Sequence, residues 1–126
     1  HHLAPHVEVW GAEPALADDA FRSLRDGLLQ ENHNPSTIAD GLRASLSERT
    51  FGILRQHARG ILTVSESEII AAMRLIWERM KLVVEPSGAV ALAAVLAHRE
   101  RFAGRRVAVI FTGGNVDLER LPWQTA

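Results

Sequence analysis

Two stretches of the sequence carry groups that could do chemistry. In one, an apolar run from Val107 to Phe111 stops at Thr112-Gly113-Gly114-Asn115. The Thr112 hydroxyl can both donate and accept a hydrogen bond. The paired glycines let the backbone turn sharply and let a flat or anionic group approach closely. A tight turn with no ligand explains the same residues equally well at this level. In the other stretch, Glu85-Pro86-Ser87-Gly88-Ala89 opens a run of small apolar residues that continues to Leu96. Pro86 suits the first turn of a helix, where its missing N–H costs nothing. Glu85 then has two readings: an N-terminal charge favoured by the helix dipole, or a carboxylate facing a ligand cavity.

The elements that must position these groups alternate along the chain. Val107–Phe111 reads as a strand buried on both faces, as in a parallel sheet covered by helices, where ligands sit at the carboxyl ends of strands. Upstream, residues 6–10 alternate Val7 and Val9 with polar residues and read as a strand, and residues 15–25 as a helix ended by Gly27. Asn34-Pro35-Ser36 is turn chemistry, and Gly41 marks another bend. A helix is expected over residues 49–59, broken by Gly60, followed by a short strand over residues 61–64. Ser65 with Glu68 makes a capping box for a helix whose Ile69, Ile70, Met73, Ile76 and Trp77 share one face. The order predicts an α/β fold, a parallel twisted sheet flanked by helices. No repeat, low-complexity tract or linker divides the chain.

Composition narrows the partners. With 47% hydrophobic residues and a net charge of −1 the chain suits one globular unit, and no basic excess invites nucleic acid or an anionic membrane. The longest apolar stretch, residues 89–97, falls short of the roughly 20 residues that span a bilayer. The absence of cysteine excludes disulfides and thiolate metal sites and favours the cytoplasm. His1 and His2 are either a tag remnant or native chain. His6, His33, His57 and His98 lack the short spacings of a closed zinc site. No serine sits in a G-x-S-x-G elbow, and no lysine follows Thr112-Gly113-Gly114-Asn115 as a phosphate-binding loop would need. Glu13 and Asp19, separated by a turn at Pro14, could converge with a backbone carbonyl as hard oxygen ligands for magnesium, calcium or manganese. On the residues alone, the simpler reading is that Asp18 and Asp19 decorate the first turn of a helix, where the macrodipole favours carboxylates.

Taken in order, Gly11-Ala12-Glu13-Pro14 with Ala17-Asp18-Asp19, Thr37-Ile38-Ala39-Asp40-Gly41, Leu62-Thr63-Val64-Ser65 leading to Trp77-Glu78-Arg79-Met80, Glu85-Pro86-Ser87-Gly88-Ala89 and Thr112-Gly113-Gly114-Asn115-Val116-Asp117-Leu118 resemble the serine racemase and serine/threonine dehydratase family of pyridoxal-phosphate enzymes. The resemblance covers nearly the whole chain. It implies that residues 1–126 form the C-terminal part of the cofactor-binding large domain of a fold type II enzyme. The family's Schiff-base lysine, ring-holding asparagine loop and glycine-rich phosphate loop all lie upstream of the matched region. The one lysine here, Lys81, matches a different position, so no catalytic residue is assigned and the chain alone is expected to be inactive.

The resemblance further implies that Thr112 meets the cofactor's pyridine nitrogen, where the family usually carries serine. Gly113, Gly41 and Glu85 would line the cofactor cavity. Glu13, the Ala17 carbonyl and Asp19 would hold a divalent cation, and Lys81 and Asn115 would contact a nucleotide effector. The parent enzyme is then expected to be a cytoplasmic homodimer acting on a small hydroxy amino acid, with the upstream half as the partner of this chain. The leading activity is a serine/threonine dehydratase, an ammonia-lyase giving a 2-keto acid. Serine racemase and 3-hydroxyaspartate dehydratase are the alternatives, and a non-catalytic association module is the alternative of another class.

Overall fold

The computed structural model describes residues 4–124, so His1 and His2 lie outside the described residues. Strand β1 (Val9–Pro14) and strand β2 (Ala58–Val64) pair in parallel, from Trp10 opposite Gly60 to Pro14 opposite Val64, with an irregularity between Val9 and Trp10. A parallel pair needs a long crossover, here made by α1 (Asp19–Asp26) and α2 (Glu48–His57). The first strand therefore starts later than residue 6. Val7 and Val9 are both 54% exposed, so their alternation marks no buried face; the ladder with β2 sets the strand's position. The first helix also starts later, because residues 15–18 form a turn in which the Ala17 amide donates to the Pro14 carbonyl at 2.9 Å. Gly27 ends it as expected. Helix α2 stops at His57, and Gly60 falls inside β2 rather than breaking the helix.

The capping box forms as the sequence requires. The Glu68 amide donates to Ser65 Oγ, and the Ser65 amide donates back to Glu68 Oε2 at 2.7 Å, opening α3 (Glu66–Leu75). This helix widens into one π-helical turn, Ile76–Met80, and ends at Lys81 in the left-handed region, φ 58°. The chain then returns to α4 (Pro86–Ala97), which has proline in its first turn, and to the short α5 (Arg99–Phe102). Trp77 Nε1 donates to the Val84 carbonyl at 2.9 Å and so ties the π-turn to the segment entering α4.

The core lies where α3 and α4 meet over β2. Ile69, Met73 and Ile76 are fully buried against Val84, Val90 and the small residues Ala89 and Ala93, with Leu62 and Val64 below and Ala39 at the edge. Each large apolar side chain buried this way contributes about 1.5–3 kcal/mol. Val107–Phe111 does not form the expected strand. Among the described residues the one ladder joins β1 to β2, and Ile110 is 77% exposed. A β-branched apolar run has a strand's composition, but a strand exists only against a neighbouring backbone. Among the described residues no helix is long and apolar enough to cross a membrane.

Candidate functional site

Three segments far apart in sequence meet at the N-terminus of α4. Glu85 is its N-cap residue, yet its side chain caps none of the helix's amides. The carboxylate turns to the Thr112–Asn115 loop instead, where Oε2 accepts from the Asn115 amide at 2.8 Å. The Glu85 amide in turn donates to the Gly113 carbonyl at 3.3 Å. Gly113 has φ 74°, and a Cβ there would collide with the Glu85 carboxylate, so conformation and space both demand glycine. A Cβ on Gly88 would collide with the Thr112 carbonyl. The first turn of α4 therefore rests directly on the loop.

Gly41 closes the third side from a 3₁₀ turn, Asp40–Leu42. Its amide donates to Asp40 Oδ1 at 2.9 Å and to Ser87 Oγ at 3.1 Å, and the position of a Cβ on Gly41 lies 4.0 Å from Glu85 Oε1. Gly41, Glu85, Thr112 and Gly113 are thus brought together. Thr112 is exposed, and no partner among the described residues takes its hydroxyl. Asn115 opens onto an adjoining cleft of about 330 Å³, also lined by Asp40, Arg43, Asp117 and Arg120. Lys81 does not line that cleft; it is exposed at the end of the π-turn.

A second cluster sits where β1 runs into α1. Glu13 Oε1 accepts from the Ala20 amide at 3.1 Å and Oε2 from the Phe21 amide at 2.8 Å. Both amides lie in the first turn of α1, where the helix offers them no carbonyl, and Glu13 satisfies the two together. Buried Asp19 accepts from Asn32 Nδ2 and from the Leu46 amide, both at 2.7 Å. Burial pushes the Glu13 carboxyl up to about 7, with the nearby charges of Asp19 and Asp18 acting in the same direction against the two amide hydrogen bonds. Among the described residues no three His, Cys, Asp or Glu side chains gather as a metal cluster; the cluster here holds the carboxylates of Glu13 and Asp19.

Ser87 and Glu66 escape sequence reasoning as site residues. Ser87 sits inside a recognised motif, and its bond to Gly41 spans 46 positions. Glu66 reads as one more acid in a helix's first turn, yet it accepts from the Ile38 amide at 2.7 Å. No local pattern signals either link.

These residues outline a cradle at the start of α4, with the Cβ space of Gly113 taken by the Glu85 carboxylate and that of Gly41 bordered by Ser87. The family model described as pyridoxal-phosphate dependent enzyme matches residues 1–113. The beta-hydroxyaspartate dehydratase of Paracoccus denitrificans is 50% identical over 121 residues, 96% of this chain and 38% of that protein. The serine racemase of Dictyostelium discoideum is 43% identical over 123 residues, 94% of this chain and 38% of that protein. The crystal structure of a T.th. threonine deaminase superposes with a TM-score of 0.87 at 50% identity, covering 92% of this chain and 43% of that one. The chain thus spans about 38% of the length of these curated relatives. With its α/β fold and parallel strand pair, the chain belongs to the pyridoxal-phosphate-dependent enzymes.

Proposed function

We propose that residues 1–126 are the C-terminal part of the cofactor-binding domain of an ammonia-lyase that converts L-serine or L-threonine into a 2-keto acid and ammonia. The observation that carries this reading is the convergence of Gly41, Glu85 and Gly113 beside the backbone of Thr112. Pyridoxal phosphate, when bound, supplies the electron sink that makes an amino acid's α-proton removable. Thr112 would meet the ring nitrogen, and a neutral hydroxyl there does not force that nitrogen to be protonated as a carboxylate would. Gly41 and Gly113 would bring bare backbone to the ring. Glu85, already held by the Asn115 amide, keeps the loop and Thr112 in place. The Schiff-base lysine belongs to the upstream half in this reading. Loss of the α-proton and β-hydroxyl as water leaves an enamine, which hydrolyses to the keto acid and ammonia.

The 50% identity to a protein named beta-hydroxyaspartate dehydratase favours 3-hydroxyaspartate as the second substrate reading. The family resemblance also carries three further proposals. Glu13, the Ala17 carbonyl and Asp19 would take magnesium, calcium or manganese, supported by the closeness of the two carboxylates where β1 runs into α1. Lys81 and Asn115 would meet a nucleotide effector. The parent enzyme would be a cytoplasmic homodimer.

The test is to supply the full-length enzyme with pyridoxal phosphate and offer L-serine, L-threonine and 3-hydroxyaspartate separately. Keto acid and ammonia in equal amounts from L-serine or L-threonine support the lyase. D-serine without keto acid would make it a racemase, and turnover of 3-hydroxyaspartate alone would move the substrate assignment.

A further inference from the structure

We infer that Glu66 is a positioning residue for the segment Thr37–Gly41, holding Gly41 against Ser87 and Glu85 through the backbone of Ile38. Its effect on the reaction rests on the function proposed above; its effect on the segment does not.

Glu66 is the first residue of α3, and its Oε2 accepts from the Ile38 amide at 2.7 Å across 28 positions. Ile38 leads directly into the 3₁₀ turn that carries Gly41. The segment is fastened at two other points. Arg43 donates twice to the Thr37 carbonyl, at 3.0 and 2.6 Å, and the Gly41 amide donates to Ser87 Oγ. The Arg43 link is local to the segment and moves with it. Glu66 and Ser87 are the hydrogen-bonded ties to the helices on either side, and they fix the orientation of a turn whose Ala39 packs into the core.

The alternative role for an acid in a first turn is to complement the helix dipole. Two observations count against it here. Ser65 and Glu68 already complete the capping box of α3. Glu66 Oε1 is also buried without a hydrogen-bond partner among the described residues, a costly state for a carboxylate retained only as a surface charge. The bond to Ile38 gives the side chain a use that depends on its reach, whereas a dipole role depends on its charge.

Reach and charge separate in two variants. Glu66→Gln keeps the reach and an acceptor oxygen but removes the charge; Glu66→Asp keeps the charge and shortens the reach. The full-length enzyme is compared in cofactor-free form by hydrogen exchange of the Ile38 amide, and after adding pyridoxal phosphate by the visible circular dichroism of the bound cofactor and by kcat and KM. Glu66→Gln should match the wild type in all three. Glu66→Asp should exchange Ile38 about tenfold faster or more, alter the cofactor's dichroism and lower kcat/KM by roughly tenfold or more. Glu66→Ala, which also removes the reach, should repeat the Asp result should Glu66→Asp fold poorly. The reverse order, with Glu66→Asp normal and Glu66→Gln impaired, establishes the dipole role and overturns the inference, as do two unchanged variants or loss of Ile38 protection in Glu66→Gln. A wild-type enzyme that takes up no pyridoxal phosphate defeats the functional reading alone, since the exchange measurement still decides the positioning role.

Discussion

The carboxylate of Glu85 accepts a hydrogen bond from the Asn115 amide at 2.8 Å, 30 positions away in sequence. A residue in N-cap position thus leaves its own helix uncapped by its side chain and orders the loop that carries Thr112 and Gly113. Removing the acceptor should release the loop with little effect on α4. Glu85→Ala is expected to lower the stability of the full-length enzyme by about 1 kcal/mol and to weaken pyridoxal-phosphate binding, while Glu85→Gln, which keeps an acceptor, stays near wild type in stability. Thermal unfolding with a cofactor titration reads both. Equal stability of wild type and Glu85→Ala would show that the bond holds nothing.

Gly113 tests the cradle from the other side. At φ 74° any L side chain is strained, and a Cβ would also strike the Glu85 carboxylate. Gly104 has nearly the same conformation, φ 72°, with open space around it. Gly104→Ala should therefore cost about 1–2 kcal/mol from conformation alone. Gly113→Ala should cost about 1–3 kcal/mol more from crowding, together with loss of cofactor affinity. Two equal losses in unfolding free energy would mean that the Glu85 contact is relieved without cost.

Where sequence and structure agree, the signal is local. Ser65 with Glu68, Pro86 in the first turn of α4 and Gly27 at the end of α1 each act within a few residues, so composition and spacing reveal them. The cradle was legible as a set of motifs for the same reason: Glu85, Gly41 and Gly113 each sit in a recognisable short stretch. The links that join those stretches were not. The bonds from Gly41 to Ser87 and from Ile38 to Glu66 join residues whose neighbours carry no mark of the pairing. The π-turn at Ile76–Met80 shifts the helical phase just where periodicity is being extrapolated. Val107–Phe111 has the composition of a strand, but a ladder is a property of two backbones and only one of them is written in those five residues.

The capping box of α3 gives a pH signature. Hydrogen bonds from the Ser65 amide, then from its hydroxyl, hold the Glu68 carboxyl below its ordinary value of 4.5. A lowered native pKa stabilises the fold above the unfolded value, and that contribution is lost as pH falls through the native one. Glu68 is almost wholly solvent-exposed, so screening limits the effect to about half a kcal/mol. Glu68→Gln keeps an acceptor without the charge. It should be slightly less stable than wild type at pH 7, with the gap closing as pH drops below 4.5. A gap that stays constant down to about pH 3 would assign the difference to side-chain geometry instead of ionisation.

The Glu13 cluster makes its prediction through ligand linkage. Both carboxylates already accept hydrogen bonds, yet each oxygen retains a second lone pair, and the two lie close enough for the charge of Asp19 to act on Glu13. A divalent cation that binds only the folded state stabilises it by about 2.7 kcal/mol at one hundred times its dissociation constant. Calcium, magnesium or manganese should therefore raise the melting temperature of the chelator-treated full-length enzyme, with the three ions ranked by the size of the shift. Glu13→Gln removes a ligand charge and turns an NH2 donor toward one of the two amides that Glu13 accepts from, so it should lower the melting temperature without metal and also lose most of the metal-induced shift. Two results would sink the site: no shift in wild type with any of the three ions, or an undiminished shift in Glu13→Gln, which would place the bound cation elsewhere on the protein.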